Sequence, residues 1–127
     1  MQPPIPTIDV AEAERRLRED PVTPLLLDVR ELDEFIAVRV PGAALVPTSA
    51  FMTRVEELPG DRPLMVMCHV GGRSAAVAGF LIRGGRTDVV NVAGGIDAWE
   101  RAGLPVRRGP VEPGEGDLPS SQVRDSG

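Results

Sequence analysis

The sequence predicts an α/β domain built on a mainly parallel central sheet with helices on both faces. Three observations carry that prediction. Continuous apolar runs, Leu25-Leu26-Leu27 and Leu64-Met65-Val66-Met67, have the length of strands buried on both faces. Stretches with helix-start signals and helical spacing separate them, so strand and helix alternate at short intervals. The segments at Asp28, Cys68 and Gly94-Gly95 each follow a strand, and ligands of parallel sheets bind beyond the carboxyl ends of the strands.

In chain order, Asp9 with Glu12 three residues later reads as a capping box opening a helix over 10–19. Pro21 and Pro24 punctuate, and 25–29 is a strand. Residues 31–37 suggest a short helix with Phe35 and Ile36 facing inward, and 44–46 a brief strand. Thr48 or Ser49 caps a helix running to Leu58. Residues 64–68 form the next strand, 73–84 a helix and 88–92 a further strand. A last helix over 96–102 ends at Gly103, with Trp99 in the core beside Ile96. No internal repeat is visible.

Composition narrows the function. A chain of 127 residues, 42% hydrophobic and 26% charged, suits one globular domain. No apolar stretch approaches a membrane span, and the start Met1-Gln2-Pro3-Pro4-Ile5-Pro6 does not read as a signal peptide. The net charge is −5 and all 14 basic residues are arginine. An acidic chain without a basic stripe argues against nucleic-acid binding, and the lack of lysine excludes Schiff-base chemistry and a Walker-type phosphate loop. One histidine and one cysteine cannot assemble the usual zinc ligand sets, and no metal or cofactor is implied. A single cysteine forms no internal disulfide and fits a reducing compartment, so the expected location is cytoplasmic.

That cysteine, Cys68, opens the run Cys68-His69-Val70-Gly71-Gly72-Arg73-Ser74 between a strand and a helix. A lone cysteine is by itself an ordinary small core residue. Its setting distinguishes this one. Free N–H groups and the helix dipole favour an anion there, whether a thiolate or a bound oxyanion. Gly71 and Gly72 can turn successive N–H groups inward, and Arg73 adds a forked cationic donor. Ser74 reads as a helix-start residue and His69 as a loop residue that either hydrogen-bonds near a donor or acceptor or faces solvent, and both stand with Val70, Gly71, Gly72 and Arg73 as substrate-binding candidates. Asp28 and Arg30, at a strand end, read as a structural ion pair near the pocket. Gly94-Gly95 reads as a tight turn approaching the loop with its backbone.

Four segments in order carry a resemblance. They are Asp28-Val29-Arg30-Glu31 with Pro41-Gly42-Ala43, then Cys68-x-x-Gly71-x-Arg73-Ser74, then Gly94-Gly95-Ile96-Asp97-Ala98-Trp99, then Gly103-Leu104-Pro105-Val106. The set resembles single-domain members of the rhodanese (thiosulfate sulfurtransferase) family. It covers residues 5–106, with a lead at 1–4 and a Pro, Gly, Ser and acidic tail over 107–127 that is expected to be disordered.

The resemblance implies a sulfurtransferase. Cys68 would take the outer sulfur of thiosulfate as a persulfide and pass it to a thiophilic acceptor such as cyanide or a thiol. Val70 and Gly72 would contribute N–H groups, and Arg73 would hold the dianionic donor. Four residues separate Cys68 from Arg73, where cysteine-dependent phosphatases carry five, so the cradle would suit a sulfur rather than a phosphoryl group. Mercaptopyruvate-using relatives typically lack this arginine, which favours an inorganic donor. Alternatives are a persulfide relay loaded by a protein donor, with a protein as acceptor, and a non-catalytic regulatory module. The sequence departs from the family at Val38-Arg39-Val40, where many relatives have Gly-His-Ile. Valine resists the left-handed conformation, so the preceding helix would end differently and Arg39 would add charge if it reached the pocket.

Overall fold

The structure, a computed structural model, describes residues 4–20 and 23–119. Its elements are β1 (Thr7–Ile8), α1 (Val10–Glu19), β2 (Leu25–Asp28), α2 (Leu32–Ala37), β3 (Ala44–Leu45), α3 (Phe51–Arg54), β4 (Leu64–Met67), α4 (Gly72–Arg83), β5 (Val89–Val92) and α5 (Gly95–Arg101). The five strands form one sheet in the order β1-β5-β4-β2-β3, and every neighbouring pair is parallel.

Alternation along the strands sorts side chains to two faces. Leu25, Leu27, Leu64 and Val66 pack on one face with Phe51, Val77, Ala78 and Leu81, from α3 and α4. Leu26, Met65 and Met67 pack on the other with Val10, Ala13, Phe35, Ile96 and Trp99, from α1, α2 and α5. Burial on both faces explains why β2 and β4 read as unbroken apolar runs. Trp99 is 1% exposed, and its indole N–H donates to the Pro105 carbonyl at 2.8 Å. No helix among the described residues is long and apolar enough to cross a membrane.

Several elements differ from their sequence readings. β1 has no counterpart in the sequence reading; a two-residue strand carries no periodic signal and is held by pairing with β5, as in the Asn91 N–H bond to the Pro6 carbonyl. The segment 48–58 is not one helix but two 3₁₀ turns, Thr48–Ala50 and Val55–Glu57, flanking the four-residue α3. The Thr48 N–H donates to the Val29 carbonyl and the Ser49 hydroxyl to the Glu31 carboxylate, which tie the first turn to β2 and α2. Ile36 is exposed, whereas Phe35 is 1% exposed, because the six-residue α2 presents only a narrow face to the core. The Asp9 carboxylate caps α1 at the Glu12 N–H, but the Glu12 side chain pairs with Arg15 and Arg16 instead of closing the box.

Residues 107–119 correct the expectation of a disordered tail; residues 120–127 lie outside the described ones. Arg39 and Arg107 exchange two backbone hydrogen bonds, the Gly109 N–H donates to the Ile36 carbonyl, and the Leu45 N–H donates to the Gly116 carbonyl at 2.7 Å. The strap thus takes the open edge of β3 and lays Gly116 against the Phe35 ring. Arg39 anchors it. Its guanidinium, in a residue only 1% exposed, pairs with Glu115 and donates to the carbonyls of Gly109 and Pro110. Arg39 therefore holds the strap rather than charging the pocket. The turn it follows needs no glycine, because Val38 is extended at φ −163°. Pairing with Arg39, reinforced by the Glu112 N–H, holds the Glu115 carboxyl down at about 2.

A second buried pair fixes α2. Arg30 binds both Asp28 oxygens, at 3.0 and 2.8 Å, and donates to the carbonyls of Glu34 and Val38. It thereby satisfies carbonyls that a helix end leaves free. Arg30→Met keeps the volume but strands the fully buried Asp28 carboxylate, and should cost about 3–5 kcal/mol in urea unfolding. Glu115→Gln should flatten the acid limb of stability. A carboxyl depressed in the folded state contributes stability above its unfolded pKa, near 4.5, that is lost as pH falls toward about 2. Unfolding midpoints of the two proteins across that window should converge at the acid end.

Candidate active site

β4 ends at Met67, and the chain turns through Cys68, His69, Val70 and Gly71 into α4. Gly71 precedes the helix at φ +115°, a conformation that favours glycine. It has no side chain with which to cap α4, and the Cys68 sulfur takes that place. The Gly71 N–H meets Sγ at 3.1 Å and the Ser74 hydroxyl lies 3.4 Å from it. Burial by itself would push the Cys68 thiol up. The Ser74 hydroxyl and the backbone N–H groups of Ser74, Gly71 and Arg73 outweigh that and hold the thiol below its ordinary range. Gly71 is one of the two glycines that the sequence reading turned inward; Arg73 and Ser74 act here through their N–H groups as well. Because α4 begins at Gly72, the N–H groups of its second and third residues, Arg73 and Ser74, are among those left free at the helix start.

The loop after β5 closes the other side. The Ile96 N–H donates to the Cys68 carbonyl at 2.9 Å and the Asp97 N–H to the His69 carbonyl at 3.1 Å. The start of α5 is thus satisfied by the cysteine loop itself. A Cβ on Gly95 would lie 2.1 Å from the Cys68 oxygen, and Gly95 adopts φ +53°, so only glycine fits this contact. Gly94-Gly95 acts through its backbone.

The remaining side chains separate clearly. His69 and Val70 are exposed, with Val70 at 62%. Ser74 is buried, and its hydroxyl lies 2.6 Å from Asn91 Oδ1 as well as beside Sγ. Asn91 was missed by the sequence reading; its signal was a polar residue inside the apolar run of β5. Asp28 and Arg30 bond to each other and to α2, and no bond of theirs to Cys68 is present. Arg73 is paired end-on with a carboxylate. Its two terminal nitrogens meet the Glu34 oxygens at 2.8 and 2.9 Å. That pairing lowers the Glu34 carboxyl to about 2, with the Glu31 N–H adding to it. Glu34 was also missed, since nothing local links α2 to a loop 39 residues away.

A cavity of about 460 Å³ opens elsewhere, at the amino ends of β4 and β5. Arg15 and Arg16 on its wall are already paired with Glu12 and Glu19, and Cys68 lies at the far end of β4. No group of three or more His, Cys, Asp or Glu residues is placed to hold a metal among the described residues.

A parallel α/β domain with a cysteine at the carboxyl edge of its sheet, seated at a helix start, defines a class. A sequence profile of the rhodanese-like domain matches residues 9–102, and the chain belongs to that family. It is 37% identical over 82 residues to a sulfurtransferase of Allochromatium vinosum, covering 65% of this chain and 77% of the relative. Identity is 35% over 82 residues to thiosulfate sulfurtransferase GlpE of Actinobacillus succinogenes, covering 65% and 74%. The crystal structure of a rhodanese-related protein from Thermoplasma volcanium superposes with a TM-score of 0.73 at 31% identity, over 80% of this chain and 97% of that one. Thiosulfate sulfurtransferase from Pseudomonas aeruginosa gives 0.73 at 26% identity, over 84% of this chain but 21% of its own.

Ser74→Ala removes the one side-chain hydroxyl on the sulfur. The pH profile of Cys68 alkylation by iodoacetamide should move upward, slowing the reaction several-fold at neutral pH, while the folded far-UV signal persists.

Proposed function

We propose that this sulfurtransferase-family protein carries sulfane sulfur on Cys68, with thiosulfate as a donor. The observation that supports it most is the cysteine sulfur in the capping position of α4, bonded to the Gly71 N–H with the Ser74 hydroxyl 3.4 Å away. That setting stabilises the thiolate and, after transfer, the anionic outer sulfur of a persulfide.

The Cys68 thiolate attacks the outer sulfur of thiosulfate, the sulfur–sulfur bond of the donor breaks, and its electron pair leaves with sulfite. An acceptor nucleophile, cyanide or a thiolate, then attacks the outer sulfur of the persulfide and returns Cys68 as thiolate. With no second cysteine in the chain, the sulfur passes to another molecule. Kinetics should be ping-pong. The single-cysteine composition supports a reducing, cytoplasmic setting.

A second reading has a specific observation behind it. Arg73, expected to grip a dianion, is already paired with Glu34, which favours a thiol-borne persulfide, including one on a protein donor. Intact mass spectrometry tests the main proposal. Reduced protein should gain one sulfur atom on exposure to thiosulfate and lose it to cyanide, Cys68→Ser should gain none, and His69→Ala should retain most turnover. No gain in the parent protein would overturn thiosulfate as donor.

A further inference from the structure

We propose that Glu34 determines the charge selectivity of the Cys68 site, weakening its grip on free dianionic sulfur donors by occupying Arg73. The proposal takes Cys68 as the reacting group of the reading above and concerns what reaches it.

The geometry is that of a filled anion site. A guanidinium offers parallel N–H donors that match two oxygens of a carboxylate or another oxyanion. On Arg73 the two terminal nitrogens already meet the two Glu34 oxygens. Glu34 is itself held in place, because its Oε1 accepts the Glu31 N–H at 2.9 Å in a reciprocal cap at the start of α2. The helix bearing it is pinned in turn by Arg30, which binds the Glu34 carbonyl. A dianionic donor seeking that fork competes with a carboxylate already seated on both terminal nitrogens and held through Oε1 by the Glu31 N–H.

The charge balance points the same way. The Arg73 charge is felt at Cys68, Glu34 and Glu31; Arg30 is felt at Glu34 as well but is itself paired with Asp28, so two cations face four groups that are anionic when the thiol is ionised. Glu31 is further fastened to the Ser49 hydroxyl at 2.7 Å and to the Ser49 N–H. The mouth therefore lacks the surplus positive charge that concentrates small anions. Cys68 as a residue is 1% exposed, so a donor must present a projecting sulfur to it. A sulfur at the end of a thiol-borne chain meets that requirement without needing the guanidinium.

Glu34→Gln isolates the effect. The amide oxygen can still accept the Glu31 N–H, one unit of negative charge is removed, and the carboxylate fork on Arg73 is lost. Alkylation of Cys68 by anionic iodoacetate and by neutral iodoacetamide reads the charge at the sulfur without requiring any sulfur transfer. The ratio of the iodoacetate to the iodoacetamide rate should rise about two- to fivefold in Glu34→Gln. The rise should shrink at high salt and vanish when Arg73→Gln is added to the variant. Taking the ratio cancels any change in thiolate fraction. In turnover, KM for thiosulfate should fall by a similar factor, more than kcat changes. An unchanged ratio, or a rise that survives Arg73→Gln, overturns the proposal. A raised ratio in a protein that gains no sulfur from thiosulfate would leave Glu34 as the selectivity residue and reject thiosulfate instead.

Discussion

Two hydrogen bonds hold this site together: those from the N–H groups of Ile96 and Asp97, the second and third residues of α5, to the carbonyls of Cys68 and His69. They join the loop after β4 to the loop after β5 across neighbouring strands of the sheet. The bonds require backbone to approach backbone, which is why Gly95 has no room for a Cβ. With the cysteine carbonyl fixed from one side, the Gly71 turn and the start of α4 fix the sulfur from the other. A thiol held in this way is a feature of the backbone more than of its neighbours' side chains. Loop amides then do the electrostatic work that a chain without lysine or tyrosine, and with one histidine, would have to find elsewhere.

Arginine carries the rest of the polar architecture, and its planar fork explains why. Arg30 ties the end of β2 to α2, Arg39 ties α2 to the strap, and Arg73 ties the cysteine loop back to α2. Each meets a carboxylate, and Arg30 and Arg39 also meet main-chain carbonyls, an arrangement that an ammonium group could not reproduce with the same geometry. The six-residue α2 is too short to be stable through its own hydrogen bonds. It is held by three arginines and one buried phenylalanine instead, so the anion balance at the site depends on packing remote from it.

The strap over 107–119 lies beyond the family match, which ends at residue 102. It protects the edge of β3 and the Phe35 ring, both of which would otherwise face water. Its composition concealed this. Pro, Gly and acidic residues give no apolar periodicity, and the segment folds onto the domain through backbone bonds, the Glu115 carboxylate meeting a buried guanidinium, and Val111 and Leu118 packed singly against the two cores.

The alternation of buried strands and helices, and hence the parallel sheet, is legible in the chain, because burial on both faces leaves uninterrupted apolar runs. So is the placement of its single cysteine at a strand end before a glycine turn, since those signals are local. Tertiary structure alone decided what surrounds that cysteine. Glu34 and Asn91 reach the site from α2 and β5, and Arg39 turns from the pocket to the strap. Such partners are set by the docking of elements far apart in the chain, and a side chain's spacing in sequence carries no record of the carboxylate it will meet.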